Sequence, residues 1–153
     1  MQKSLLALTT LFLVGCIATP VSSPSKQTSE IKPEQTTSIF YYPVAPVGHG
    51  QATALVTGKF AWKDGCLYLV GKDGVYNTAM FPMYPKDIVR WDEANKTLTL
   101  DGHIFKMGDF ISTNGHYSDY VANSPMALEY QKQGNRKCLN SSIANIGTMD
   151  LND

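Results

Sequence analysis

Apolar residues in this chain fall into short runs, and the polar breaks between them are rich in Asp-Gly, which is the rhythm of β-strands joined by tight turns. Ala52 to Trp62 mixes β-branched and aromatic residues until Lys63-Asp64-Gly65 interrupts it. Cys66-Leu67-Tyr68-Leu69-Val70 is a compact apolar run, Lys72-Asp73-Gly74 turns, and Val75 to Phe81 returns until Pro82 and Pro85. An Asp-Gly between two such runs predicts a hairpin, because both positions of its tight turn need φ above zero. Ile88 to Trp91, Thr97-Leu98-Thr99-Leu100 and His103-Ile104-Phe105-Lys106 are three further strands, with a polar turn at Asp92 to Lys96 and another at Asp101-Gly102. Phe110-Ile111 resumes the pattern, and Ile143 to Leu151 supplies a closing strand. One helix stands apart: Ser124 caps it, Pro125 suits its first position, Met126 to Tyr130 continue it and Gly134 stops it. Phe40 to Val47 contains Pro43 and Pro46, so it predicts an extended edge segment packed on the domain rather than a central strand. Together these elements predict a mainly β domain over residues 39–153, a small OB-like or SH3-like barrel with one short late helix. Trp62, Tyr68, Phe81 and Phe105 are its expected core rings, whereas Tyr84, Trp91, Tyr117 and Tyr120 lie near turns and suit an interface.

The N-terminus follows a different rule. Lys3 precedes an apolar run from Leu5 to Val14, which is shorter than the about 20 residues a membrane-spanning helix needs. The run closes on Leu13-Val14-Gly15-Cys16. Charged head, short apolar stretch and small residue before cysteine resemble a bacterial lipoprotein signal with its lipobox. The resemblance implies that residues 1–15 are removed, that Cys16 carries diacylglycerol on its sulfur, and that its amine is acylated, for instance with palmitate. It also implies the outer membrane, periplasm-facing, because Ile17 stands where an aspartate would mark inner-membrane retention. Ile17 to Ser38 is rich in Ser, Thr, Pro, Lys, Gln and Glu, too poor in apolar surface to offset the entropy of ordering it. Residues 16–38 therefore read as a lipidated, disordered tether, with a reach of about 25 Å.

Charge narrows the range of partners. The whole chain carries 13 basic and 13 acidic residues, and loss of Lys3 leaves one net negative charge. There is no basic stripe for nucleic acid and no polybasic lipid-binding segment, so the expected membrane contact is the lipid itself. With Cys16 committed to the anchor, Cys66 and Cys138 remain as an even pair, which in an oxidising compartment favours a disulfide; a redox or metal pair is the alternative, though no C-x-x-C is present.

Candidate chemistry is sparse. His49, His103 and His116 each adjoin glycine, and none belongs to a nucleophile elbow or a zinc motif. Asp64, Asp73 and Asp101 each precede glycine and read as turn residues, as does Asp92-Glu93. No phosphate-binding glycine loop is present, so neither cofactor nor metal is expected. Asn114-Gly115-His116-Tyr117-Ser118-Asp119-Tyr120 concentrates rings and hydrogen-bonding groups in an expected loop, making Asn114, His116, Tyr117 and Tyr120 the candidate binding residues.

Two further resemblances concern the domain. Trp62-Lys-Asp-Gly65-Cys66-Leu67-Tyr68-Leu69, Phe81-Pro82, and Leu98-x-Leu100-Asp101-Gly102-x-x-Phe105-x-x-Gly108-Asp109 resemble a pattern in small uncharacterised bacterial β-rich lipoproteins, which supplies no activity. Ser112-Thr113-Asn114-Gly115-His116-Tyr117 is more distantly similar to the Ser-Gly-x-x-Tyr loop of membrane-bound inhibitors of C-type lysozyme, from which it departs in the serine position and the tyrosine spacing. The expected function is a noncatalytic, lipid-anchored envelope lipoprotein, a binding or structural module contacting an envelope protein or component, with an envelope protein or a glycan as its expected partner. A lysozyme-inhibitor-like lipoprotein and an enzyme acting on peptidoglycan or glycans are the alternatives.

Overall fold

The computed structural model describes residues 34, 36–44, 54–149 and 151. The expected signal segment, Cys16, the tether as far as residue 33 and His49 lie outside the described residues. The described chain forms nine strands and one helix: β1 (Phe40–Tyr42), β2 (Ala54–Lys63), β3 (Cys66–Val70), β4 (Tyr76–Pro82), β5 (Val89–Asp92), β6 (Thr97–Leu100), β7 (His103–Lys106), β8 (Phe110–Asp119), α1 (Pro125–Gln131) and β9 (Ser142–Ile146). A 3-10 turn at Arg136–Cys138 separates α1 from β9. No helix among the described residues is long and apolar enough to cross a membrane.

Five strands close a barrel in the order β2-β3-β4-β9-β8 and back to β2. Every pairing is antiparallel except β4 with β9, which is parallel and aligns Thr78 with Ile143 and Met80 with Asn145. Counted among themselves the strands run first, second, third, fifth, fourth, which is the OB arrangement rather than the SH3 one. Two of the Asp-Gly signals make two-residue hairpins: Asp64 and Gly65 have φ of 52° and 79°, Asp101 and Gly102 of 46° and 82°, in the region that tight hairpin turns require. Asp73-Gly74 lies in the longer connection of the β3–β4 hairpin, where the Asp73 carboxylate accepts from Val75 N–H at 3.0 Å. β5, β6 and β7 form a separate antiparallel meander between β4 and β8. Its inner residues Leu98, Leu100 and Phe105 share the barrel's core with Val56, Phe60, Leu69, Phe81 and Ile111.

β3 and β4 are covered on both faces, which explains their near-continuous apolar sequence. Leu67, Leu69, Ala79 and Phe81 point into the barrel core, whereas Cys66, Tyr68 and Met80 belong to a second cluster on the outside with Phe40, Tyr130, Cys138 and Ile143. Cys66 and Cys138 are joined there as the expected disulfide, with Cα atoms 5.2 Å apart. The pairing closes a loop of 72 residues, for which chain entropy gives about 4 kcal/mol of stabilisation. β1 pairs in parallel with the end of β4, Phe40 beside Met80 and Tyr42 beside Pro82, and is the packed extended segment that its prolines predict. The helix also forms as its end signals predict, with the Ser124 hydroxyl accepting a hydrogen bond from Ala127 N–H and Pro125 in the first turn.

Three expectations are corrected. The Asn114 to Tyr120 segment is not a loop: β8 runs unbroken to Asp119, pairing with β2 through Gly115 and with β9 from Gly115 onward. Trp91 is core rather than interface, because alternation on β5 sends it inward with Val89 and its indole N–H finds Glu93. Trp62 is the reverse: at the end of β2 it is 36 % exposed, with the Lys96 ammonium 4.4 Å from its ring centre.

The described residues also reach back into the expected tether. The Glu93 carboxylate, only 8 % exposed, accepts hydrogen bonds from the backbone N–H and hydroxyl of Thr36 and of Thr37, from the Trp91 indole at 2.8 Å, and from Lys96. Trp62 adds a hydrogen bond to the Thr37 hydroxyl. Burial opposes the charged form of Glu93, but the hydrogen bonds from Lys96, Trp91 and Thr37 outweigh it and hold the carboxyl at about 2, below its ordinary 4.5.

Candidate functional site

Outside the barrel, where β8 and β9 pass beneath α1, the second cluster opens into a groove of about 540 Å³. Alternation along β8 places Ile111, Thr113 and Gly115 inward and leaves His116 and Ser118 on the outer face. Across the ladder His116 faces Asn145 and Ser118 faces Ile143, so these four residues share one floor. Tyr42 and Pro43 form one wall, and Asp119 at the end of β8, Tyr120 just beyond it, and Met126 and Tyr130 of α1 complete the lining.

Gly115 makes this floor possible. Its φ is 156°, and a Cβ there would lie 2.1 Å from the Asn145 carbonyl oxygen and 2.8 Å from Val56. β8 therefore approaches the backbone of Asn145 more closely than any other residue would allow. The Asn145 residue is 3 % exposed, and its side-chain amide donates to the Ser118 hydroxyl at 3.2 Å.

The rings are fixed in place. Tyr42 donates its hydroxyl proton to the Ile146 carbonyl at 3.0 Å, and burial pushes its phenol up to about 12. The exposed His116 ring meets Tyr42 edge-on, with centroids 6.4 Å apart. Tyr120 accepts a hydrogen bond from the Gln131 amide at 2.7 Å, and burial raises the Tyr130 phenol above its ordinary value.

Of the four candidate binding residues, the fold brings together only His116 and Tyr120. Asn114 has a structural role instead. Its side-chain oxygen accepts from Met149 N–H at 2.9 Å and its carbonyl from Gly147 N–H at 2.8 Å, holding the chain after β9. Tyr117 lies on the opposite face of β8 from His116 and bonds through its hydroxyl to both the N–H and the carbonyl of Thr57 on β2. Ser118, inside the segment from Asn114 to Tyr120 that the sequence marks as a candidate interface, also lines the groove, as do Tyr42, Tyr130 and Asn145, which the sequence did not single out as binding residues. Period-two alternation extended through Asp119 would have paired Ser118 with His116; nothing local marks Asn145 or Tyr130.

A second hollow of about 590 Å³ lies over Gly58, Ala61, Trp62 and Phe110, with Lys59 and Lys72 as its charged members. Both lysines are exposed side chains, so it offers no buried, fixed polar group. The groove beside α1 does, which makes it the better built site although it is slightly smaller. His103 is exposed, and its ring nitrogen lies 3.1 Å from the Asp101 carbonyl of its own turn. Among the described residues no cluster of three or more His, Cys, Asp or Glu is placed to hold a metal ion.

No protein-family model matches this chain, and neither a curated protein nor a solved structure shows significant similarity to it.

Proposed function

We propose that this protein is a lipid-anchored lipoprotein of the bacterial envelope, outer-membrane sorted and periplasm-facing, whose barrel presents the groove beside α1 to an envelope component without catalysing a reaction on it. The observation that carries the reading is the Leu13-Val14-Gly15-Cys16 ending of a short apolar run. Two features of the domain support it. A disulfide between Cys66 and Cys138 suits an oxidising compartment. The groove gathers fixed aromatic rings around a few convergent polar groups, the usual composition of a binding site.

Two acyl chains or more on one residue anchor stably where one does not, so Cys16→Ala is expected to leave unprocessed precursor or to release soluble protein. Detergent-phase partitioning of wild type and variant tests this. A variant that partitions like the wild type would remove the anchor from the proposal. Capture of crosslinked envelope material by the lipidated protein, compared with a His116→Ala form, tests the groove.

A further inference from the structure

We infer that the groove takes an N-acetylated sugar of an envelope glycan, with the acetamido group on Asn145 and the ring hydroxyls on Ser118, His116 and Asp119. This rests on the proposed binding role and gives that site its ligand class. The decisive residue is Asn145. It is 97 % buried and its amide nitrogen donates to Ser118, while no side-chain polar atom among the described residues is both buried and without a hydrogen bond, so the unbonded Asn145 oxygen is one that reaches the open groove. An Asn side chain offers two donor hydrogens and an oxygen acceptor, so an acceptor and a donor remain for whatever occupies the groove it lines. That unused pair complements a secondary amide, which presents one carbonyl and one N–H.

Secondary amides come from peptides or from acetamido sugars, and the sheet decides between them. An extended peptide binds by adding a strand to a free edge. The groove has none: β8 is paired with β2 and β9, and β9 with β8 and β4. The outer edge of β1 is capped as well, because Gln133 accepts from Tyr41 N–H at 2.6 Å and donates to the Tyr41 carbonyl at 3.0 Å. What remains for a ligand is side-chain chemistry: a hydroxyl, an imidazole and a carboxylate around one amide, the set that recognises a ring of hydroxyls. Ile143 and Tyr130 supply an apolar neighbour for the acetyl methyl, and the exposed Met126 extends that wall. Among the described residues the groove is lined by no lysine or arginine, so a phosphorylated or strongly anionic sugar is not favoured.

The test titrates the purified full chain with N-acetylchitotetraose and, in parallel, with the glucosamine tetramer that lacks the acetyl groups. Heats of binding and the Asn145 side-chain amide resonances report the result. The N-acetylated tetramer should bind saturably and shift those resonances, the deacetylated tetramer should bind at least about tenfold more weakly, and Asn145→Asp should lose a similar factor. Because a buried carboxylate could unfold the variant, His116→Ala provides an exposed second substitution that should weaken the same binding. Equal binding of the two tetramers overturns the inference, as does binding that leaves the Asn145 amide unmoved. If purified sacculi bind in a His116-dependent way while N-acetylchitotetraose does not, the sugar assignment is lost and the envelope-binding role stands. Failure of both ligands removes the two together.

Discussion

Two polar clusters of this domain sit against apolar cores, and they differ in how completely their hydrogen bonds are used. At Glu93 one carboxylate takes up the Thr36 and Thr37 amides and hydroxyls, the Trp91 indole and the Lys96 ammonium. In the groove Asn145 makes one side-chain bond to Ser118, and His116 meets only the edge of a ring. A buried polar network that is fully connected fixes structure, whereas a partly connected one costs stability unless something else completes it. The contrast fits the first cluster to folding and leaves the second as the part that the proposed binding role would use.

Breaking the first cluster should produce the largest effect. Glu93→Ala leaves the Trp91 and Thr37 donors buried without their acceptor, at about 1–3 kcal/mol for each group so stranded, so a total loss of about 3 kcal/mol is expected. Urea unfolding of both forms measures it. A loss below about 1 kcal/mol would mean that the segment at Thr36 is held by other contacts and that the network is ornamental to stability.

The same carboxylate sets an acid limb. Its folded value of about 2 lies below the ordinary 4.5, so ionised Glu93 contributes stability that is complete above about pH 4.5 and is lost as pH falls through about 2. In Glu93→Gln that part of the pH dependence should vanish, leaving a flatter stability profile below pH 4.5. An unchanged acid limb would place the responsible carboxyl elsewhere.

Tyr117 tests the boundary of the groove. Its hydroxyl joins β8 to Thr57 and has no part in the floor shared by His116 and Asn145, so Tyr117→Phe should cost about 1 kcal/mol of stability and leave capture of envelope material unaltered. Lost capture at unchanged stability would move the binding surface around β8 to the other face.

Legibility in the sequence followed distance along the chain. The Asp64-Gly65 and Asp101-Gly102 hairpins, the Ser124-Pro125 helix start and the strand-rich pattern all rest on neighbours in sequence, and all form. The parallel closure of β4 on β9 joins residues such as Thr78 and Ile143, and no local pattern announces that register. The site failed to show for the same reason: Tyr42, His116, Tyr130 and Asn145 meet only after the barrel has closed. Asp92-Glu93 illustrates the limit within a single dipeptide. Asp92 behaves as the turn residue it resembles, accepting from Ala94 N–H at 2.9 Å and Asn95 N–H at 3.1 Å, while Glu93, adjacent and chemically alike, turns inward to gather Thr36, Thr37 and Trp91. The two tryptophans exchange expected places because burial depends on what the meander and the Thr36–Thr37 segment cover, which is tertiary information.

The smallest expected change in stability gives the sharpest form of the comparison. His116 is exposed, its ring makes no hydrogen bond among the described residues, and that ring meets Tyr42 edge-on. Its replacement by alanine should therefore alter unfolding free energy by less than about 0.5 kcal/mol, the ordinary range for a surface substitution. Capture of envelope material should nonetheless fall by about tenfold, equivalent to about 1.4 kcal/mol of binding, since the lost imidazole is part of the floor that a ligand meets. That combination, stability kept and binding lost, is the inverse of what Glu93→Ala should show. If His116→Ala instead unfolds the domain as readily as Glu93→Ala does, the groove is a second structural knot, and the distinction between a closed and an open hydrogen-bonding cluster fails as a guide to function.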